Sequence, residues 1–478
     1  WTTDTSTWAR QPFSYNGQLN VIDPKRLNPL AKYLFDITPL PTHPDVNPLV
    51  DNNWWGSVDS IRKNWTITTR VDHRFSDRDQ FYARYTQGQY YSWWSMDGAG
   101  TPGPPVKDGI SNNEVGTAPN RALALSHVHT FSPTLFNELL ASVTREKWRT
   151  ATGKEEKYAD MLGLPNPFGA VGWPQLSGTG LSRLGWYTQS AMGTNFTYLI
   201  LDDNATKIYR KHELQFGFHG RYDLLFTLPD QQQGQGGHQW SSLATTLYDP
   251  STSRTNPQGT PYTGHNLANL FVGVMTYSNN MVRGYFYSIG KEYALYFQDN
   301  YKLSPRLTLN LGLRWEYWPA LREKNNLMTG FDVAKRAIVL GKDLDTMYKL
   351  GATLPAVVNV YSGWGARFIG YQEAGLPQRL MYSNSKNFGP RLGLAYRLGE
   401  GRNQFVLRSG YRISYYPVPV RYWTATMRSN APLTAWFSNN PNSSAQSPDQ
   451  IGNYLMRSVP TIVAGVNSRD AVKLDSPV

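Results

Sequence analysis

The sequence contains no cysteine, and charged residues are scarce in it. Without cysteine, a disulfide scaffold and a thiolate metal site are both excluded. Charged residues make up only 17% of the 478 residues, and the formal net charge of +12 comes from lysines and arginines scattered along the chain. A nucleic-acid-binding surface needs basic residues gathered in one run or patch, so no nucleic-acid partner is expected.

Long apolar segments are also absent. No run reaches the roughly 18 apolar residues of a membrane-spanning helix, and the mean hydropathy is negative, so such a helix is excluded. A membrane β-barrel remains compatible with these observations. Its strands alternate lipid-facing and lumen-facing residues, and each strand therefore carries only half of the apolar content.

Signatures of catalysis are missing as well. The sequence has no GxSxG, HExxH or GxGxxG motif. The adjacent carboxylates Asp202 and Asp203, placed on a strand, point to opposite faces and do not form a shared acid–base site. We therefore predict no catalytic residue, no cofactor and no enzyme activity.

Aromatic residues and turn formers are abundant. The chain has 16 Trp, 30 Tyr, 41 Gly and 31 Pro, a composition typical of β-structure with many turns. Alternating segments joined by very short turns predict five hairpins. Their strands are expected at 64–75 and 79–91, 120–131 and 135–148, 195–210 and 212–226, 285–303 and 307–318, and 387–398 and 403–416.

The connections between the hairpins are all long. They cover 92–119, 149–194, 227–284, 319–386 and 417–478. Short turns at one end of the strands and long loops at the other are typical of outer-membrane barrels, whereas propellers and immunoglobulin-like sandwiches show evenly spaced turns. The predicted fold is all-β, part of a large antiparallel transmembrane β-barrel with about ten strands and long extracellular loops.

The alternation assigns side chains to two faces. Its period of two is strict over 307–317, and the strands reach the roughly 9 to 11 residues needed to cross a bilayer. We predict that one face meets lipid through Leu307, Leu309, Leu311, Leu313, Leu392 and Leu394. The lumen face is predicted to carry Arg314, Glu316, Arg391, Arg397, Arg408 and Arg412, which pair with one another, with a plug or with a ligand. An interfacial aromatic belt is predicted at Trp315, Tyr317, Trp318, Tyr411 and Tyr415.

Two shorter features need separate treatment. His127 and His129 lie on one face of a strand, a spacing that suits a metal, but the sequence shows no third ligand nearby, and no metal site is predicted. In the N-terminal segment 1–63, residues 28–35 are expected to form a short helix that buries Leu30, Leu34 and Phe35 against the barrel. The segment 265–273 is expected to be a short helix or a buried turn.

The strand sequences resemble those of a known family, the Oar-like TonB-dependent receptors of the outer membrane. The segments that carry the resemblance are NVIDPKRLNPLAKYL at 20–34, TTRVDHRFSDRDQFYARY at 68–85, HVHTFSPTLFNELLASVTR at 127–145, KHELQFGFHGR at 211–221, YFQDNYKLSPRLTLNLGLRWEYW at 296–318, NFGPRLGLAYRL at 387–398 and LRSGYRISYY at 407–416. Several segments in the same order are more specific than any one of them.

The resemblance implies a receptor in the bacterial outer membrane whose loops capture an unidentified ligand and whose plug is displaced with energy from a TonB-type coupling protein. The family's plug, its regulatory-like domain and its coupling box are absent from this sequence, as is a final strand ending in an aromatic residue. We therefore interpret the chain as an internal piece of the receptor: an N-terminal segment at 1–63, barrel hairpins at 64–416, and an extracellular loop or partly ordered tail at 417–478. Lipopolysaccharide and the membrane are its expected surroundings.

Two other functions are compatible with the same composition. A barrel-anchored surface adhesion or assembly protein would use the loops for binding without transport. A soluble secreted β-protein that binds or hydrolyses carbohydrate would use the many Trp and Tyr side chains, although the strand lengths and the loop asymmetry favour a barrel.

Overall fold

The computed structural model describes residues 13–37, 40–47, 51–55, 60–95, 113–152, 157–164, 174–178, 192–227, 237–240, 264–273, 277–399 and 404–439. Ten long strands form its main sheet, here called the wall. They are β1 (Ser60–Arg74), β2 (Asp79–Ser95), β3 (Asn113–Ser132), β4 (Leu135–Thr152), β5 (Met192–Tyr209), β6 (His212–Thr227), β7 (Phe286–Lys302), β8 (Leu307–Trp318), β9 (Asn384–Leu398) and β10 (Phe405–Arg412).

Every wall strand pairs with the next one along the chain, always antiparallel, from β1 at one edge to β10 at the other. The predicted antiparallel sheet of about ten strands is confirmed. All five hairpin turns lie at one end of the wall. The tightest is the β5–β6 turn, where Arg210 adopts a positive φ of 56° and only Lys211 follows before β6 begins. The long connections all leave from the opposite end, which is the extracellular end in outer-membrane barrels.

Proline explains two differences from the predicted strand ends. The last strand was expected to reach residue 416, but β10 ends at Arg412. The next residue, Ile413, donates to the carbonyl of Pro390 on β9 at 3.1 Å, and Pro390 has no N–H to return the second bond of the pair. Conversely, β3 begins at Asn113, although the strand was predicted to begin at residue 120, directly after Pro119. The β3–β4 pairing is interrupted at this point, between the Thr117–Arg149 and Asn120–Glu146 pairs, so the missing N–H of Pro119 leaves no ladder bond broken.

Helices occur only outside the wall strands, as far as the chain is described, and none of them is long and apolar enough to cross a membrane. The N-terminal helix Pro29–Ile37 buries Ala31 and Leu34 and packs against the loop helix Asn266–Val272. The prediction that Phe35 is buried was wrong: its side chain is 60% exposed, and its ring centroid lies 5.8 Å from that of Phe271. The inward face follows positions 31 and 34, and residue 35 lies beside it.

A second, smaller sheet ties three connections together at the extracellular end. Its strands, in spatial order, are Thr434–Asn439, Tyr277–Arg283, Gly237–Trp240 and Gln175–Gly178, and we call it the loop sheet. Leu176 and Trp240 pack with the N-terminal helix and the loop helix in one apolar cluster. The predicted helix or buried turn at 265–273 belongs to this cluster as the loop helix, and His265 caps its N-terminus.

The loop sheet contains a fully buried histidine, and this predicts acid sensitivity. Both ring nitrogens of His238 lack a hydrogen-bond partner among the described residues, and burial lowers the pKa of His238 from 6.5 to about 4. The unfolded chain takes up a proton as the pH falls through about 6.5, but the folded sheet does so only near its lower pKa. Stability of the loop sheet is therefore complete above about pH 6.5, falls by about 1.4 kcal/mol per pH unit below it, and levels off near the folded pKa.

Hydrogen exchange of the amides in Gly237–Trp240, corrected for intrinsic rates, measures this loss between about pH 7 and about pH 5. His238→Leu is the matched control, because leucine fills the buried position with an apolar side chain that cannot bind a proton. An equal pH dependence in the variant would show that another group is responsible.

The connection between β8 and β9 folds into an ordered unit, here called the extracellular cap, together with the helix Val420–Ser429. It contains a three-stranded sheet formed by Thr329–Asp332, Ala337–Leu340 and Arg367–Gly370, and the helices Leu344–Lys349, Pro355–Gly363 and Tyr371–Ala374. Met328, Met347 and Trp423 lie in its core. The buried carboxylate of Glu323 accepts the N–H groups of Asn325 at 2.6 Å and Leu327 at 3.1 Å, so its polarity is satisfied inside this core.

The cap rests on the extracellular end of β7. Phe286 enters the cap core, and the hydroxyls of Ser288 and Thr424 are 2.5 Å apart. A Cβ on Gly290 would lie 2.6 Å from Val420 Cγ2, so a glycine is required for the helix Val420–Ser429 to approach this closely. Phe286, Ser288 and Gly290 share one face of β7, and the cap therefore covers that face at the loop end of the wall.

Candidate functional site

The register of the wall separates an apolar face from a polar one. On the apolar face, Leu309 lies opposite Leu394 and Leu311 opposite Leu392, and Leu307 opposite Tyr396 extends the same row of contacts. Leu313 is 47% exposed and Leu392 52% exposed. All six leucines predicted to face lipid lie on this face. Contiguous exposed apolar surface of this kind is stable when it is covered by lipid.

The predicted belt aromatics gather toward the loop end of β8 and around β10. Trp315 and Tyr317 stack with ring centroids 6.3 Å apart, and the indole of Trp315 donates to the carbonyl of Ser385 at 2.8 Å. Trp318 lies after a bulge and meets the ring of Tyr415, which follows the end of β10. Tyr411 lies further into the wall, opposite Leu392.

On the polar face, the predicted lumen residues do not all come together. Arg314 and Glu316 form an ion pair at 2.6 Å along β8. Arg397 lies near the turn end and donates to the carbonyl of Pro305 at 3.0 Å, while Arg408 lies opposite Ala395. Arg391 and Arg412, in contrast, are directly opposite each other on β9 and β10.

A hollow lies beside this arginine pair. It has a volume of about 440 Å³ and is lined on the polar face by Arg391 and Arg412, by Gln298 and Asn310, and by Gly312, Gly393 and Gly410. The three glycines have no side chains to fill the space between the arginines. Neither guanidinium forms an ion pair within the described part of the chain. Two cations held opposite each other repel, and an anionic group in the hollow would relieve that repulsion.

The centre of the polar face contains a network that the sequence analysis missed. The phenol of Tyr296 on β7 reaches across β6 and donates to Asn204 Oδ1 on β5 at 2.7 Å. It crosses at Gly217, where a Cβ would lie 2.7 Å from the Tyr296 ring. One row further, His219 Nδ1 is 2.6 Å from Asp202 Oδ1. A glycine inside an alternating strand was the available signal, since such a residue marks a close approach of another group.

The polar face thus has the features of a lumen wall. Its charges are partly paired, its side chains form hydrogen bonds across neighbouring strands, and the hollow beside Arg391 and Arg412 is open to solvent. A family model described as an outer membrane beta barrel domain matches residues 1–474. The chain belongs to this family. The barrel domain lies in the bacterial outer membrane.

Comparison of the barrel domain with solved structures finds other outer-membrane proteins. The translocator domain of the autotransporter NalP from Neisseria meningitidis matches 75% of this chain and 77% of its own, with 11% identity and a TM-score of 0.25. FpvA of P. aeruginosa, solved with heterologous pyoverdines, matches 71% of this chain and 34% of its own, with 11% identity and a TM-score of 0.35. A mutant of the ferric enterobactin receptor PfeA from Pseudomonas aeruginosa matches 75% of this chain and 44% of its own, with 8% identity and a TM-score of 0.22.

The barrel domain spans about a third of the FpvA chain and less than half of the PfeA chain, by the 34% and 44% coverages. No curated protein matches the sequence.

Proposed function

We propose that the barrel domain forms the wall and outer vestibule of a TonB-dependent receptor that imports a ligand across the outer membrane. The observation that carries this proposal is the basic hollow at Arg391 and Arg412, because a purely anchoring barrel has no need for unpaired cations facing its lumen. The sequence resemblance to Oar-like receptors supports the same function. Lipopolysaccharide in the outer leaflet and a TonB-type coupling protein in the periplasm are the proposed partners.

The position of the extracellular cap supports import through the lumen. The cap covers the polar face of β7 through Val420 above Gly290, on the side where the arginine hollow lies. A ligand entering from outside would therefore pass the cap before it reaches the hollow. Because no enzymatic signature is present in the sequence, we propose binding and translocation without chemistry.

Growth phenotypes test the transport function. Strains lacking the receptor gene, lacking the coupling protein or lacking both are grown with single sources of iron, of cobalamin and of saccharide. We expect the receptor deletion to reproduce one of the defects of the coupling deletion, with no further loss in the double deletion. A receptor deletion that impairs surface attachment but grows normally on every source would instead support the adhesion function.

Charge reversal in the hollow tests the site once the nutrient is known. We expect Arg391→Glu or Arg412→Glu to reduce uptake of that nutrient at least about 10-fold at unchanged surface level, since each replaces an anion-binding cation with a repelling charge. Arg408→Glu is the matched control, because Arg408 is on the same strand as Arg412 but does not line the hollow. Equal losses in the three variants would point to a general effect of charge on the barrel.

A further inference from the structure

Three potential metal ligands meet on the outer face of the wall, near the turn end. His129 Nδ1 lies 2.6 Å from Asp79 Oδ1, and His127 Nε2 lies 3.3 Å from the same oxygen. The three ligand atoms all lie within 4.8 Å of one another. No other group of three such ligands occurs in the part of the chain that the structure describes. The sequence showed no third ligand for the two histidines, because Asp79 lies about fifty residues away and on another strand.

The register of the wall brings them together. Asp79, the first residue of β2, pairs directly with His129 on β3. His127 is two residues along the same strand, so its side chain points to the same face, where it lies opposite Phe81. The backbone also closes this corner, since the amide of Thr130 donates to the carbonyl of Arg78 at 2.8 Å. The three ligands are therefore held by a rigid pair of strands and a tight turn.

We propose that Asp79, His127 and His129 bind a divalent transition-metal ion, with Zn²⁺ as the best-suited ion. Two imidazoles and one carboxylate form a ligand set that Zn²⁺ accepts, with a water molecule completing a tetrahedron. Ligand bonds of about 2.0–2.1 Å place the ligand atoms of a tetrahedron about 3.3 Å apart. The His127–Asp79 separation already has this value, and the His129–Asp79 separation needs to open by under an ångström.

The carboxylate is oriented for this role by the turn. Ser76 Oγ donates to Asp79 Oδ2 at 2.6 Å, and the amide of Arg78 in turn donates to Ser76 Oγ at 3.1 Å. The second carboxylate oxygen is thereby held by the serine, and Oδ1 is left to face both histidines. The ring of His129 is further fixed by edge contact with Phe131, whose ring centroid is 4.3 Å away. Ser76 is thus a positioning residue of the kind that metal-bound carboxylates usually have.

The same face of the wall contains an internal comparison. His212 Nδ1 lies 2.7 Å from Asp299 Oδ2, also near the turn end, with the imidazole stacked on Tyr301. This pair has one histidine and one carboxylate but no second histidine in ligand range among the described residues. A plain His–Asp hydrogen bond explains that pair fully. The group at Asp79 differs from this pair by its second imidazole, which supplies the third protein ligand that a metal site requires.

The bound ion would join the first turn to the third strand at the periplasmic rim. Asp79 follows the turn directly, and His129 lies three residues before β3 ends at Ser132, so the ion is accessible from periplasmic water. The side chains are between 28% and 41% exposed, which leaves room for the fourth, water ligand.

Metal titration of the untagged protein, purified in detergent, tests the proposal. We expect one Zn²⁺ per chain by calorimetry, and Co²⁺ in its place to give the visible absorption of a four-coordinate nitrogen–oxygen site. His127→Ala, His129→Ala and Asp79→Asn should each weaken binding by more than about 100-fold, because even changes behind the ligands weaken metal sites 10- to 100-fold. Ser76→Ala should weaken it about 10-fold.

His212→Ala is the matched control and should leave both the stoichiometry and the affinity unchanged. The proposal is overturned if the wild-type protein takes up no ion, if the ligand variants bind as tightly as the wild type, or if the control loses the ion equally. Folding of each variant is checked by its heat-modifiable mobility in electrophoresis. Where a variant fails to fold, the Co²⁺ absorption of the wild-type protein is a sufficient test. A spectrum of octahedral Co²⁺ alone would contradict the proposed four-coordinate site.

Discussion

Replacing Gly217 with valine is expected to lower the free energy of unfolding of the wall by about 2–4 kcal/mol. A Cβ at this position would lie 2.5 Å from the carbonyl oxygen of Asp203 and 2.7 Å from the ring of Tyr296. Since the first of these atoms belongs to the backbone, a rotamer change does not relieve the clash. Tyr296 would also be displaced from Asn204, and the hydrogen bond between them would be lost. Urea unfolding of the protein in lipid vesicles measures the effect.

Gly410→Val provides the control for this experiment. Gly410 lies on the same face of the wall, but the only atom within reach of an added Cβ is the carbonyl oxygen of Leu392 at 3.6 Å, an ordinary contact. Valine favours strands, so the control is expected to unfold at the same urea concentration or a higher one. A similar loss in both variants would mean that the wall tolerates no β-branched residue in place of glycine, irrespective of Tyr296.

The contribution of the hydrogen bond is separable from that of the close packing. Tyr296→Phe removes the hydroxyl and keeps the ring above Gly217, and its expected loss is about 0.5–1.5 kcal/mol. A larger loss of stability for Gly217→Val than for Tyr296→Phe would show that Gly217 is needed chiefly to leave space for the Tyr296 ring.

The alternation of side chains was predictable from sequence because it depends only on the strand period. Once Leu309 and Leu311 are on one face of β8, Asn310 and Arg314 are necessarily on the other, and a short turn then fixes the register of the partner strand. The contacts within a hairpin follow directly. The pairing of Leu311 with Leu392 required a further step, because these residues belong to different hairpins joined by a long connection.

Contacts between hairpins were accordingly the ones that the sequence did not reveal. Asp79 meets His129 across the β2–β3 pairing, and the register of that pairing is set by the whole sheet and not by a turn. The hydrogen bond from Tyr296 to Asn204 skips a strand altogether. Neither contact has a signature in sequence spacing, so the third ligand of the proposed metal site and the central hydrogen-bond network could not be predicted from the sequence.

The extracellular cap was missed for a different reason. Its strands have four residues or fewer and its helices ten or fewer, so none shows a long periodic pattern. The run Ala337–Leu340 is buried throughout and was the clearest local signal of a core strand. This run lies in a connection rich in glycine and proline, a composition typical of irregular loops. Glu323 is charged, and the sequence alone therefore places it at the surface; only its backbone partners explain its burial.

Replacing Leu313 with arginine is expected to destabilise the barrel domain in a bilayer by about 2–4 kcal/mol, the effect of a cation near the bilayer midplane on the lipid face of a barrel. Leu313 lies midway along β8, is 47% exposed, and has Phe297 and Pro390 as its neighbours across the strands. Neither neighbour offers a counter-charge. The loss is measured as the shift in reversible urea unfolding from lipid vesicles.

Gln215→Arg is the matched control on the other face. Gln215 pairs with Gln298, which pairs with Gly312, so it lies at nearly the same height in the wall as Leu313 but points toward the lumen. An arginine there has Glu213 within reach, since the present glutamine already donates to that carboxylate at 3.0 Å. We expect the control to remain within about 0.5 kcal/mol of the wild type. The opposite order of the two effects would exchange the lipid and lumen faces and contradict the assignment of the wall.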